Sequence, residues 1–207
     1  MIENYYSKKF RAFFSKSARQ ALGQDRHYHY WQNYRNPPHR VKREMVAGLA
    51  ERYKTSILVE TGTFMGDMVY AMKDKFETIY SIELSAELHQ KALKRFSGSK
   101  NIKLLQGDSG KQIDLILPQI NKPTLFWLDG HYSGGFTAKA DINTPIIEEL
   151  RKVLTQPYLN HVILIDDARC FNGTDDYPSV KEIFLLVQSL QPNLKFNIEN
   201  DCIQLTP

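Results

Sequence analysis

The stretch ILVETGTFMG at residues 57–66 decides the fold. It opens with branched apolar residues typical of a strand buried on both faces, and then passes through a carboxylate into a glycine-spaced turn. After Gly66, apolar residues recur at the spacing of one helix face. A strand, a glycine-containing loop and a helix form the opening unit of a doubly wound nucleotide-binding sheet. The sequence therefore predicts a ligand-binding loop at a helix N-terminus.

Two residues of this stretch indicate which ligand the loop prefers. A dinucleotide-binding loop has glycine at its middle position, but Phe64 stands there. Glu60 adds a negative charge, which repels a pyrophosphate and attracts an ammonium group. The pattern Glu60-x-Gly62-x-Phe64-x-Gly66 resembles motif I of the class I S-adenosylmethionine-dependent methyltransferases. The resemblance implies that S-adenosylmethionine is the cofactor, with its methionine part held by Glu60, Thr61, Gly62, Thr63 and Gly66.

The remainder of the chain alternates strand-like and helix-like segments. Further strands are predicted at residues 78–83, 102–105, 124–128, 161–165, 195–198 and 203–205. The last two flank Asn200-Asp201, which is typical of a hairpin turn. We therefore predict an α/β fold with a doubly wound, seven-stranded, mostly parallel sheet and a C-terminal antiparallel hairpin. This is the class I methyltransferase fold, and the resemblance covers residues 56–207.

Two further strand ends carry candidate cofactor-binding residues. Glu83 ends the second predicted strand about 20 residues after Gly62, the distance at which an acid meets ribose hydroxyls. The alternative for Glu83 is a solvated strand-end carboxylate. Asp108 and Ser109 follow the third predicted strand, where the resemblance implies contacts with the adenine amino group. Asp108 is also suited to cap the helix that starts there, and both roles are compatible.

Three carboxylates follow the fourth and fifth predicted strands: Asp129, Asp166 and Asp167. Neighbouring strands lie about 4.8 Å apart, so these side chains are expected in one site. Their mutual repulsion favours a hard divalent cation such as Mg²⁺, which also lowers the pKa of a bound hydroxyl. The arrangement is similar to that of the metal-dependent macrocin-type sugar O-methyltransferases. The alternative is that Asp129 positions the substrate and Asp166 accepts backbone hydrogen bonds.

His131 lies two residues after Asp129 and is a candidate general base, because its ordinary pKa is near neutrality. The alternative for His131 is a hydrogen-bonded structural side chain. The predicted catalytic residues are Asp129, His131 and Asp166. Methyl transfer needs no protein nucleophile, since the cofactor carries the electrophilic carbon and the protein supplies alignment and deprotonation.

The chain of 207 residues carries a net charge of +4, which is unevenly placed. Residues 1–40 hold eight Lys and Arg residues against two acidic ones, with many aromatic residues between them. We interpret residues 1–40 as a helical extension or lid and residues 41–207 as a methyltransferase-like domain. The alternatives for the basic segment are contact with a nucleic acid or with a membrane surface.

The sequence predicts a cytoplasmic enzyme. It has no apolar run of the length that spans a membrane, no secretory signal pattern, and two cysteines without metal or redox spacing. We predict S-adenosylmethionine-dependent methylation of a hydroxyl on a small molecule such as a sugar, with or without a metal, and in a monomer or a homo-oligomer. Two alternatives stay open. One is a cofactor-binding protein of this fold with other or no methyl-transfer chemistry, and the other is nucleic-acid methylation.

Overall fold

The computed structural model describes residues 37–130, 144–157, 160–174 and 176–207. In these ranges helices and strands alternate along most of the chain, and the last two strands follow each other directly. No helix among them has the length and apolar character that crossing a membrane requires. In chain order the elements are α1 (His39–Tyr53), β1 (Ile57–Thr61), α2 (Asp67–Met72), β2 (Thr78–Glu83), α3 (Ala86–Arg95), β3 (Ile102–Gln106), α4 (Ser109–Ile116), a 3-10 helix (Leu117–Gln119), β4 (Thr124–Leu128), α5 (Ile146–Leu154), β5 (Val162–Ile165), a 3-10 helix (Ala168–Cys170), α6 (Val180–Leu190), β6 (Lys195–Glu199) and β7 (Cys202–Thr206).

The strands form one seven-stranded sheet in the order β3-β2-β1-β4-β5-β7-β6. The first five strands of the chain pair in parallel, and β7 pairs antiparallel with both β5 and β6. The strand order reverses between β1 and β4, and ligands of open α/β sheets bind at such a switch point. The predicted fold, including its C-terminal antiparallel hairpin, is confirmed.

Apolar residues cover both faces of the sheet. Val59, Phe126 and Ile163 contribute to the core on one face, while their neighbours Leu58 and Leu125 contribute to the core on the other. This alternation explains why β1, β4 and β5 are continuous in apolar residues, since each strand is buried on both sides. The polar side chains at the carboxyl ends of the same strands are therefore held on a rigid frame.

Candidate active site

Gly62 brings the loop after β1 against the loop after β4. Its φ of 84° lies in the left-handed region, and a Cβ there would lie 2.5 Å from the carbonyl oxygen of Asp129. Thr61 extends the same contact, because the Asp129 N–H donates to its carbonyl at 3.1 Å and to its hydroxyl at 3.2 Å. The backbone of the predicted cofactor loop therefore packs directly against the backbone of Asp129. Only glycine at position 62 permits this close approach.

Glu60 lies beneath this loop and is almost fully buried. Its carboxyl accepts a hydrogen bond from the Ser81 hydroxyl, and Ser81 Oγ lies 2.6 Å from Thr63 Oγ1. Burial raises the pKa of Glu60 to about 8, opposed by the Ser81 hydrogen bond and assisted by the charge of Glu83. Glu60 is thus largely protonated at neutral pH. A protonated Glu60 does not attract an ammonium group. A bound ligand with a positive charge would lower the pKa of Glu60 again and so restore the predicted attraction.

Glu83 connects the loop to the start of α3. One carboxylate oxygen accepts the Phe64 N–H at 2.7 Å and the other accepts the Ser85 N–H at 2.8 Å. Phe64 has a φ of 47°, in the left-handed region, and its side chain is half exposed. Each oxygen of Glu83 keeps a second lone pair for a ligand hydroxyl. Ribose binding by Glu83 stays a prediction.

Asp108 caps α4, because its side chain accepts the Gly110 N–H at 2.9 Å. Ser109 follows it as the first residue of the helix and is buried. Both residues follow β3 directly, and Ser109 Oγ lies close to Gly130 in the loop after β4. Contact of Asp108 and Ser109 with an adenine ring stays a prediction.

Glu149 is a buried acid on α5 that the sequence analysis did not single out. A Cβ on Gly130 would lie 3.2 Å from Glu149 Oε1, 3.0 Å from Ser109 Oγ and 3.1 Å from Thr61 Oγ1. These three side chains therefore surround Gly130. Burial raises the pKa of Glu149 to about 7, although the Ser109 and Thr61 hydroxyls oppose the shift. Among the described residues, Oε1 of Glu149 has no hydrogen-bond partner.

The acidic residues after β4 and β5 come together. Leu128 lies opposite Ile165 in the parallel register, so Asp129 and Asp166 leave the sheet at the same level. One oxygen from each of Asp129, Asp166 and Asp167 lies within 4.8 Å of the other two. The three predicted metal ligands thus form one group, which we call the carboxylate cluster.

Lys42 on α1 inserts its ammonium group into the carboxylate cluster. Its Nζ lies 2.6 Å from Asp166 Oδ2 and 3.1 Å from Asp167 Oδ1, and the residue is 4% exposed. Burial by itself lowers the pKa of Lys42, but the two carboxylates more than offset that effect and the net pKa is raised. Lys42 therefore stays charged, and α1 is tied to the end of β5.

The hairpin turn adds a second basic contact. Arg169 Nη1 lies 2.7 Å from Asp167 Oδ1 and also donates to the Asp201 carboxylate. The backbone N–H of Arg169 donates to Asp201 Oδ1 at 2.9 Å. Asp201, in the turn between β6 and β7, has a φ of 58°. Arg169 therefore connects Asp201 in the predicted turn to Asp167 of the carboxylate cluster.

The cluster has features that fit a hard divalent cation. Its donors are carboxylate oxygens, the ligands that Mg²⁺ prefers. Oδ1 of Asp166 is buried and has no hydrogen-bond partner among the described residues. Burial and the charge of Asp167 raise the pKa of Asp166 in spite of Lys42. The residues present therefore fit a metal at Asp129, Asp166 and Asp167.

His131 and most of the predicted lid, residues 1–36, lie outside the described residues. Sequence reasoning missed Lys42, because a polar residue on a surface helix is ordinarily solvated. Glu149 did leave a signal: it lies three residues after Ile146 and one before Leu150, on the buried face of α5. An acid at such a position indicates a buried polar contact.

No protein-family model matches this chain, and no curated protein sequence matches it either. Solved structures do match. The O-methyltransferase TomG from Streptomyces achromogenes, solved with SAM, aligns with a TM-score of 0.55 at 13% identity, covering 93% of this chain and 90% of that chain. The SAH-bound methyltransferase PaMTH1 from Podospora anserina aligns with a TM-score of 0.57 at 13% identity, covering 99% and 94%.

A third similar structure is described as that of a "putative rRNA-methylase" from Clostridium thermocellum. It aligns with a TM-score of 0.54 at 9% identity, covering 78% of this chain and 94% of that chain. Identities at this level establish the shared fold and leave the substrate open. Together with the sheet order and the antiparallel hairpin, these alignments show that the chain has the fold of the class I methyltransferases.

Proposed function

We propose that this protein transfers the methyl group of S-adenosylmethionine to a hydroxyl group of a small molecule. The observation that carries the proposal is the contact of Gly62 with the Asp129 carbonyl, which joins the predicted cofactor loop to the carboxylate cluster. A cofactor on that loop and an acceptor at the cluster would lie side by side. Methyl transfer requires this alignment of an electrophilic carbon with an acceptor oxygen.

The proposed cofactor contacts lie at the ends of β1, β2 and β3. The loop would hold the methionine part, with Glu60 regaining its charge beside the ligand's ammonium group. Glu83 would accept hydrogen bonds from the ribose, and Asp108 and Ser109 would contact the adenine. Two similar structures carry SAM or SAH by their descriptions, which supports the choice of cofactor. The full proposed set is Glu60, Thr61, Gly62, Thr63, Gly66, Glu83, Asp108 and Ser109.

The proposed acceptor contacts lie at the ends of β4 and β5. Asp129 and Asp166 would orient the acceptor hydroxyl and draw off its proton, and a sugar hydroxyl is the substrate class that the macrocin-type resemblance favours. Asp129, Asp166 and Asp167 would hold a divalent cation, which when bound lowers the pKa of a hydroxyl. His131 is the alternative base. Residues 1–40 would form a lid over the acceptor.

Calorimetry with the full-length protein tests the cofactor. We expect binding of S-adenosylmethionine and S-adenosylhomocysteine and none of a nicotinamide dinucleotide. Binding of the dinucleotide alone would overturn the proposal. Release of S-adenosylhomocysteine in the presence of a panel of sugars and other hydroxyl compounds then tests the reaction. Binding without turnover across the panel would favour the alternative of another chemistry on the same fold.

Asp166→Asn separates the two halves of the site. We expect this variant to lower the methyl-transfer rate by about 100-fold while S-adenosylhomocysteine affinity changes little, because the cofactor is assigned to other strands. Asp74→Asn, an exposed carboxylate outside the site, is the matched control and should behave as wild type. Loss of activity in a chelator and its return with Mg²⁺ or Mn²⁺ would support the metal. Undiminished activity in a chelator would favour His131 as the base.

Nucleic-acid methylation is the second candidate function. The basic charge of residues 1–40 favours it, since Lys and Arg contacts with phosphates produce binding that falls steeply with salt. The same preparation should therefore be tested for RNA binding at two salt concentrations. Salt-sensitive binding together with methyl incorporation into RNA would replace the small-molecule assignment.

A further inference from the structure

Lys42 occupies an unusual place for a lysine. It lies on α1, before the first strand, and contacts Asp166, 124 residues further along the chain. The side chain is buried with its ammonium group bonded to two carboxylates of the cluster. Lysine is rarely buried unless it is paired. The ion pair of Lys42 with Asp166 is therefore a buried part of the site. It differs from exposed ion pairs of the surface, such as Arg40 with Glu44.

The carboxylates of the cluster repel one another, so the folded protein needs a positive charge beside them whether or not a metal ion is bound. Asp166 and Asp167 are adjacent and buried, and two close carboxylates destabilise each other unless a positive charge lies between them. A bound metal ion can dissociate, whereas a lysine is covalently part of the chain. Lys42 bonds to Oδ2 of Asp166 and leaves Oδ1 without a partner among the described residues. One oxygen of Asp166 thus belongs to the ammonium group, and the other is available to a second cation.

We propose that Lys42 is a built-in counter-ion of the carboxylate cluster, which holds Asp166 and Asp167 in place without a metal and weakens the binding of a divalent cation there. A metal ion held by the same carboxylates would be repelled by the ammonium group a few ångströms away. The inference deepens the proposed function, because it concerns the acceptor side of the proposed site. It makes Lys42 a positioning residue that acts through the aspartates.

A Mn²⁺ titration followed by calorimetry tests the competition. The full-length wild-type protein is compared with Lys42→Met, which removes the charge, and with Lys42→Arg, which keeps it. We expect Lys42→Met to bind Mn²⁺ at least about tenfold more tightly than wild type, and Lys42→Arg to resemble wild type. Arg52→Met removes an exposed charge from the same helix and should leave Mn²⁺ affinity unchanged.

Thermal unfolding tests the counter-ion role independently of activity. Without metal, Lys42→Met should melt at a lower temperature than wild type, since it removes the ammonium group bonded to buried Asp166, while Asp167 keeps its contact with Arg169. Saturating Mn²⁺ should raise its Tm by more than it raises that of wild type. The double variant Lys42→Met/Asp166→Asn should regain stability without metal and respond less to Mn²⁺, which keeps the proposal testable if Lys42→Met unfolds.

Three results would overturn the inference. The first is that Lys42→Met binds Mn²⁺ no more tightly than wild type does. The second is that neither protein binds Mn²⁺. The third is that the double variant is no more stable than Lys42→Met. S-adenosylhomocysteine binding, measured on the same samples, separates this failure from failure of the proposed function. If Lys42→Met binds S-adenosylhomocysteine normally and its Mn²⁺ affinity equals that of wild type, only the proposed role of Lys42 is rejected and the proposed function stands.

Discussion

The carboxyl edge of the sheet buries acidic side chains in two different ways. Glu60 at the end of β1 and Glu149 on α5 lie beside hydroxyl groups, and burial raises their pKa values to about 8 and about 7. At the ends of β4 and β5, Asp166 and Asp167 are paired with the ammonium group of Lys42. We call these the hydroxyl-lined half and the cation-paired half.

The two halves are expected to respond to different changes in solution conditions. A buried acid among hydroxyls exchanges its proton near neutral pH, because no fixed positive charge stabilises its anion. A buried acid beside a cation also responds to loss of that cation or to competition from another one. Cation-dependent behaviour is therefore expected on the acceptor side, and proton exchange near neutral pH is expected for Glu60 and Glu149.

Gly62→Val should have the largest effect, because it breaks the contact that joins the two halves. The new Cβ would lie 2.5 Å from a backbone oxygen at a left-handed φ, and a branched residue relieves neither problem. We expect S-adenosylhomocysteine affinity to fall by at least about 1,000-fold, or about 4 kcal/mol. Calorimetry measures this directly.

The control for Gly62→Val is Gly98→Val, since a Cβ on Gly98 meets no atom within 4 Å. That variant should bind the cofactor as wild type does. Tight binding by Gly62→Val would mean that the two halves are not joined through this loop, and the cofactor would have to be assigned elsewhere.

Much of this edge could be predicted from the sequence. The apolar runs of β1, β4 and β5 identify buried parallel strands, and the acid after each run marks the same edge of the sheet. Strand adjacency then brings Asp129 and Asp166 together without knowledge of any side-chain contact. The hairpin follows from a short turn between two alternating segments.

The partners of these acids could not be predicted in the same way. Lys42 reaches the cluster because α1 packs beside β5, and no local pattern near residue 42 encodes a contact 124 residues away. The protonation of Glu60 is equally non-local, since it follows from burial under the loop and from Ser81 on the adjacent strand. Sequence patterns identified the acids, whereas packing determines their charge.

Glu149→Gln tests the proton dependence of the hydroxyl-lined half. Burial raises the pKa of Glu149 from 4.5 to about 7, so the folded state binds this proton more tightly than the unfolded state does. Stability should therefore fall as the pH rises from about 4.5 to about 7 and level off above that. Glu149→Gln removes this contribution, which amounts to about 3 kcal/mol between pH 4 and pH 8. Urea unfolding across that pH range measures it.

The control is Glu51→Gln, which changes an exposed acid on α1 away from Glu149. Its pH profile should follow that of wild type. The wild-type fall should extend towards pH 8, because Glu60 contributes in the same direction with a pKa raised to about 8. A Glu149→Gln profile as steep as that of wild type would mean that Glu149 is ionised in the folded protein, and the comparison of the two halves would fail there.

Ser81→Ala should have the smallest effect and sharpens the contrast between hydroxyl and cation partners. Ser81 bonds to Glu60 and to Thr63, and removing a neutral hydroxyl costs about 1 kcal/mol of unfolding free energy. The pKa of Glu60 should rise further, because the Ser81 hydrogen bond lowers it in wild type. Ser189→Ala, whose hydroxyl bonds only within its own helix among the described contacts, is the control. A loss above about 3 kcal/mol, the scale expected when a buried ion pair loses one partner, would place Glu60 among the charged acids and remove the distinction between the halves.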